Sequence, residues 1–172
     1  TALASQIPYV NDDDPIASST LSTAQTAGWI WDIGLPTRRG IGHVYSSGHT
    51  TEDRAAQELL AYITATVSPE AAASALIRKV PFSPGHRAKF WHKNCVAVGM
   101  SAGFIEPLEA SALVLVELSA AMIAEQLPAN RQIMDAVAKR LNDKFLYRLD
   151  RVIRLFKLHY FLSQLHDSSD VK

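Results

Sequence analysis

One cysteine, Cys95, stands among 172 residues. A lone thiol cannot build an internal disulfide framework, and it points to a reducing, cytoplasmic setting. An excess of either charge is lacking too. Lys plus Arg number 17 and Asp plus Glu 17, so no net field draws the chain toward nucleic acid or an anionic membrane. Long uncharged apolar runs are missing. The nearest, Ala110 to Leu127, contains Glu117 and Glu125 and stops at Pro128, which suits a buried core helix better than a membrane span. The first residue is Thr1, and no charged start leads into an apolar stretch with a small-residue cleavage site, so no secretory signal is expected. A beginning in mid-pattern without Met leads to the expectation of a piece cut from a longer chain. The dinucleotide-binding Gly-x-Gly-x-x-Gly fingerprint is absent, as are internal repeats and low-complexity stretches. His86, His92 and His159 show no metal-ligand spacing together, and no metal site is expected.

What is present fits one folded chain of ordinary composition, with 48% hydrophobic and 20% charged residues. Residues 1–27 are rich in Ser, Thr, Ala and Asp, and Asn11-Asp12-Asp13-Asp14-Pro15 reads as a polar turn. Trp29-Ile30-Trp31-Asp32-Ile33 has high strand propensity. Leu35 to Gly40 reads as a turn and Ile41 to Ser46 as a second strand, giving a hairpin with a longer loop. Thr50 or Thr51 caps a helix that carries Ala55, Leu59, Leu60 and Ile63 at helical spacing through about Ala65. A short helix is expected over 69–77. Strands are expected over Arg78–Phe82 and Lys89–Trp91, around a Pro84-Gly85 turn, and over the apolar run Asn94–Val98.

Glu106 to Leu127 is expected to form a largely buried helix with Pro107 at its first position, where the missing N–H costs nothing. From Arg131 to Leu165 the pattern is amphipathic. Ile133, Met134, Val137, Leu141, Phe145, Leu149, Val152 and Phe156 fall on one stripe, and basic residues interleave with Asp on the solvated face. The tail Asp167 to Asp170 is expected to fray. The fold class expected is α+β, with a β-rich first half followed by two long helices.

Two stretches carry candidate chemistry. Alternation places Trp29 and Trp31 on one face of a strand, either as core aromatics or as a functional pair. Asn94 to Glu109 reads as strand, small-residue turn and helix start. Its glycines let backbone approach a flat ligand, and its helix tip offers free N–H groups to an anion. The same residues also serve as a tight turn with no ligand. Cys95 is expected to be a small buried hydrophobe, and His43 a strand residue.

Four segments of the chain resemble flavin-dependent tryptophan halogenases. Gly28-Trp29-Ile30-Trp31-Asp32-Ile33 is similar to the family's Trp-x-Trp-x-Ile-Pro, with Gly34 in place of the proline. It is followed by Gly40-Ile41-Gly42-His43-Val44-Tyr45-Ser46-Ser47, which resembles the family's next strand, with His43 for a tyrosine. Gly99-Met100-Ser101-Ala102-Gly103-Phe104-Ile105-Glu106-Pro107-Leu108-Glu109 resembles the segment that closes over the flavin. Arg151 to Tyr160 is similar to a late family helix ending in Leu-His-Tyr. The resemblance runs from about Ile7 to about Tyr160.

That resemblance implies a partial FAD-dependent monooxygenase-like fold. Residues 1–93 would form a substrate-side sheet with helices, 94–128 a flavin- and halide-facing strand-turn-helix, and 129–172 an amphipathic helix. It implies Glu109 as the catalytic carboxylate facing an aromatic substrate. A first-turn carboxylate is also favoured there by the helix dipole alone, by about 0.3–1 kcal/mol. Gly99, Met100, Gly103 and Leu113 would lie against the flavin. Ser111 and Ala112 would hold the halide through backbone N–H groups, with Ala112 for the family's glycine and Ala110 for its serine. Trp29, Trp31 and Ile33 would shield the flavin from the organic substrate.

The implied reaction uses reduced FAD, O2 and chloride or bromide to make hypohalous acid, which halogenates a tryptophan-like or other indole substrate by electrophilic substitution. A separate flavin reductase is the implied partner, and homo-oligomerisation is expected of exposed apolar surface. The family's catalytic lysine finds no matching motif here, nor do the later residues that close over the indole. The motifs are equally compatible with free tryptophan, a peptide-linked indole or another aromatic. A flavin monooxygenase that hydroxylates, and a non-catalytic helical interaction module, are the competing functions. The Trp pair argues against the first.

Overall fold

The computed structural model describes residues 1–11 and 13–163. They form two units, residues 1–82 and 83–163. The frayed tail expected at 167–170 lies outside the described residues.

The first unit is a five-stranded antiparallel sheet with helices on one face. Its strands are β1 (Ala2–Pro8), β2 (Leu21–Gln25), β3 (Gly28–Leu35), β4 (Arg38–Tyr45) and β5 (Arg78–Val80), in the order β2-β3-β4-β1-β5. The sequence reading left β1 and β2 in a polar segment. Yet β1 lies inside the sheet, pairing with β4 on one side and β5 on the other. Leu3 and Ile7 alternate into the core, and the intervening Ser5 is small enough to be buried with them.

The hairpin is also tighter than expected. Leu35 pairs with Arg38, so Pro36 and Thr37 alone make the turn. Gly40, read as a turn residue, belongs to β4 opposite Ile33. Arg39 is drawn into the strand by Asp32. Its Nε donates to Asp32 Oδ1 at 3.1 Å, its Nη2 pairs with Oδ2, and its Nη1 donates to the Thr66 carbonyl at 2.8 Å.

Helix α1 (Glu52–Thr66) starts where expected. Thr51 Oγ1 accepts the Arg54 N–H at 3.3 Å, and Glu52 and Asp53 occupy the first turn. Ala55, Leu59 and Ile63 are fully buried against Leu3, Ile7, Ile30, Ile41 and Tyr45, whereas Leu60 falls at the edge of the stripe. Tyr62 Oη donates to Asp32 Oδ2 at 3.1 Å, adding a polar tie between α1 and the sheet. Helix α2 (Pro69–Ala73) is shorter than expected.

The second unit has little sheet. Four two-residue strands, β6 (Gly85–His86), β7 (Trp91–His92), β8 (Cys95–Val96) and β9 (Gly103–Phe104), pair as β6-β9 and β7-β8. The Pro84-Gly85 turn and the five-residue run Asn94–Val98 are therefore not as expected. Gly85 is itself a strand residue, and Cys95 is exposed rather than buried. A two-stranded ribbon has an open face, so an apolar run there is not enclosed.

Two helices dominate the unit. Helix α3 (Ser111–Glu125) begins five residues later than expected, because Glu109 (φ 57°, ψ 19°) and Ala110 (φ 48°, ψ 24°) adopt left-handed backbone. Pro107 precedes a single 3₁₀ turn over 108–110 instead of opening the helix. Nor is α3 largely buried: Met122 and Ser119 are, while Leu113, Val114 and Val116 are exposed. Helix α4 (Arg131–Leu162) is the expected long amphipathic helix, with the Asn130 side chain accepting the N–H groups of Gln132 and Ile133. Leu141, Phe145 and Leu149 pack with Phe90, Trp91, Ala102 and Met122. Phe156 is buried as well, whereas Ile133 at the helix start is exposed.

Candidate functional site

The turn before α3 builds a cleft. Gly99 enters it at φ 63°, a conformation that suits glycine. The Ser101 hydroxyl then closes a small ring, accepting the Val98 N–H at 3.1 Å and donating to the Val98 carbonyl at 2.8 Å. Gly103 pairs with His86 so closely that a Cβ there would sit 2.6 Å from the His86 Cβ. From there the chain crosses Phe104 and Ile105 to Glu106 and Pro107, and turns into α3.

The left-handed pair at Glu109 and Ala110 determines what the helix start presents. Ala110 occupies the cap position and has no side chain to accept a hydrogen bond, so the first amides of α3 carry no side-chain cap. Two consecutive non-glycine residues in this backbone region store roughly 1–2 kcal/mol each.

The cleft has a volume of about 170 Å³. Gly99, Met100, Gly103, Ser111, Ala112 and Leu113 all line it, with Phe104, Ile105, Val116 and Phe145. Those first six are the positions matched to flavin and halide contacts, and a single turn-helix corner brings them together. Met100 and Leu113 are also 81% and 74% exposed, so the cleft opens onto an apolar surface. Small-molecule sites usually enclose ~300–1,000 Å³, so this volume suits one edge of a ligand.

Glu109 does not line the cleft. It lies between Glu106 and Ser111, which do, and its side chain is 59% exposed with Oε1 at 3.7 Å from His159 Nε2. Glu106 Oε2 accepts a hydrogen bond from Tyr160 Oη at 2.9 Å. These two contacts were not foreseen. The signal was a late His-Tyr motif with no role attached to it. Asn142 was missed as well. Its Oδ1 accepts the N–H groups of Phe90 and Trp91, both at 2.8 Å, and its Nδ2 donates to the Trp91 carbonyl at 2.9 Å. That clamp ties the segment before the cleft to α4.

In the first unit, Trp29 and Trp31 share the sheet face opposite α1, with ring centroids 6.3 Å apart and planes at 63°. Trp31 lies across Gly42, and Ile33 beside it is exposed. Ile30, on the other face, is fully buried against α1. Trp29 is buried and Trp31 half-buried on that face, and neither belongs to the core under the helix. His43 is a buried strand residue whose Nδ1 is 3.1 Å from the Ala55 carbonyl. Among the described residues there is no group of three His, Cys, Asp or Glu placed to hold a metal, and no helix is long and apolar enough to cross a membrane.

This chain belongs to the tryptophan halogenases: the family's sequence model matches residues 1–169. It is 52% identical to a crystallised tryptophan halogenase from Shewanella frigidimarina NCIMB 400, with a TM-score of 0.87 over 95% of this chain and 31% of that one. BrvH, a flavin-dependent halogenase from Brevundimonas sp. BAL3, is 35% identical, with a TM-score of 0.75 over 92% of this chain and 31% of that one. Tryptophan 7-halogenase KtzQ from Kutzneria sp. (strain 744) is 34% identical over 167 residues, which is 97% of this chain and 30% of the relative. The chain therefore spans about a third of the length of the relatives it matches.

Proposed function

We propose that this chain is the flavin- and halide-facing segment of an FAD-dependent halogenase that chlorinates or brominates an indole or similar aromatic substrate. The observation that carries the reading is the corner at Gly99–Leu113, where six family-matched positions line one cleft beside an uncapped helix start. An apolar cleft of this size suits one edge of a flat ring, and helix-start amides without a side-chain cap suit an anion. Gly99, Met100, Gly103 and Leu113 would hold that edge, and the amides of Ser111 and Ala112 would hold chloride or bromide. The nucleotide half of FAD finds no glycine fingerprint here and would be held by sequence outside this chain.

When bound, reduced FAD with O2 supplies the oxidation that converts halide to hypohalous acid. The residues here bind, orient and exclude. Glu109, set apart by its left-handed backbone, would present a carboxylate to the aromatic ring and take up the proton released on substitution. Trp29, Trp31 and Ile33 would keep the organic substrate from the flavin. The fold would be part of the FAD-dependent monooxygenase type, with 1–93 on the substrate side, 94–128 facing flavin and halide, and 129–172 an amphipathic helix. A flavin reductase would provide the reduced cofactor.

The test is a product assay on the full-length protein with reductase, FAD, O2, an indole substrate and chloride or bromide. The expected product carries halogen and vanishes without halide. Glu109→Gln should lower kcat by about 10²–10⁴. A hydroxylated product formed without halide would sink the proposal.

A further inference from the structure

The end of α4 carries two adjacent side chains that the proposed chemistry does not use. Tyr160 donates to Glu106, and His159 faces Glu109. These acids are three residues apart, on either side of the corner at Pro107-Leu108. Neighbouring residues of one helix therefore hold both ends of the turn that leads into α3.

The hydrogen-bonding partner of His159 decides its tautomer. Its Nδ1 lies 2.9 Å from the Leu155 carbonyl oxygen, which only accepts. Nδ1 must then carry a hydrogen, and a neutral ring would offer Nε2 as a lone pair. Nε2 is the atom 3.7 Å from Glu109 Oε1. A lone pair facing a carboxylate repels it. An Nε2–H facing the carboxylate, as in the imidazolium form, makes the contact an ion pair. Glu109 has need of such a partner. Its backbone fixes the direction in which the side chain leaves the corner, but the side-chain torsions of a residue 59% exposed are otherwise free.

We propose that His159 is the positioning residue of Glu109, holding its carboxylate at the start of α3 through the Nε2–Oε1 ion-pair contact. This rests on the reading of Glu109 as the substrate-side acid.

The experiment is a double-mutant cycle in the full-length enzyme with Glu109→Gln, His159→Ala and the double variant, followed by steady-state halogenation. His159→Ala should lower kcat roughly tenfold with the KM for the aromatic substrate unchanged. The double variant should be no slower than Glu109→Gln alone, because His159 acts only through the acid it orients. Imidazole added to the buffer should recover part of the rate of His159→Ala and none of the double variant's. His159→Phe, which keeps the ring volume without a charge or an N–H donor, gives the same reading should the alanine variant fail to fold. Multiplying deficits, or His159 variants as fast as wild type beside a slow Glu109→Gln, would overturn the positioning role and leave Glu109 standing. A Glu109→Gln enzyme as fast as wild type would remove the reading of Glu109, and this inference with it.

Discussion

Glu109 and Ala110 sit side by side in a backbone region that favours glycine, and the direction of α3 depends on them. At Ala110 the alanine side chain costs roughly 1–2 kcal/mol. Glycine would remove that cost and add back ~0.4–1 kcal/mol of unfolded-chain entropy. Ala110→Gly should therefore raise stability by about 0.5–1 kcal/mol in chemical denaturation, and an equal or lower midpoint would refute the strain. Tyr62 gives a second residue-level expectation. Burial, with the Asp32 carboxylate beside it, raises its hydroxyl above the ordinary 10.0. The protonated form is thus favoured by folding. Its contribution is complete below pH 10.0 and is lost as pH rises through the raised value. Denaturation midpoints should fall as pH rises above 10.0, and Tyr62→Phe should flatten part of that fall. Tyr45, raised by burial as well, should account for some of the remainder. A slope unchanged in Tyr62→Phe would show that Tyr62 does not titrate with folding.

Among the elements, the β3–β4 hairpin shows how a sequence pattern acquires its meaning from the partner strand. Gly42 pairs with Trp31, and the indole lies over it, so a Cβ there would come within 2.1 Å of Trp31 Cζ2 and 2.5 Å of the Leu3 carbonyl oxygen. Gly42→Ala should destabilise the sheet by at least about 1–3 kcal/mol and shift the tryptophan fluorescence. A variant with wild-type stability and spectrum would mean that the indole does not rest there. The helices were legible in outline because their apolar spacing is local, as with Ala55, Leu59 and Ile63 on α1 or Leu141, Phe145 and Leu149 on α4. Strand β1 was not. Its Ala-Leu-Ala-Ser-Gln-Ile run has weak alternation, and only pairing with β4 and β5 makes it a sheet interior. The late start of α3 was hidden for another reason. Pro107, Glu109 and Ala110 are all acceptable in a first helical turn, and nothing in their identities announces left-handed backbone.

At the scale of the whole molecule, apolar side chains stand exposed around α3 and the cleft. Met100, Leu113, Val114 and Leu127 are all exposed, and Leu113 and Met100 form the mouth of the cleft. A helix apolar on all sides needs cover on all sides, and α4 covers one. The chain by itself, residues 1–172, should associate with itself or bind an apolar dye, seen as concentration-dependent sedimentation or dye fluorescence. A monodisperse, dye-silent monomer would contradict this. The six positions matched by resemblance to flavin and halide line one cleft because they lie within the short stretch 99–113. The His159–Glu109 and Asn142–Trp91 contacts were not legible in the sequence, because the partners are about fifty residues apart.

The sequence by itself determined the helical stripes, the paired tryptophans on one strand face, and the glycine-rich run that joins the cleft residues, since each depends on neighbours a few residues away. Only the tertiary structure decided that β1 is interior, that α3 starts at Ser111, and that Glu109 points toward His159 rather than into the cleft. Those outcomes depend on which distant strand or helix supplies the missing hydrogen bond or charge, and spacing along one chain carries no record of that choice.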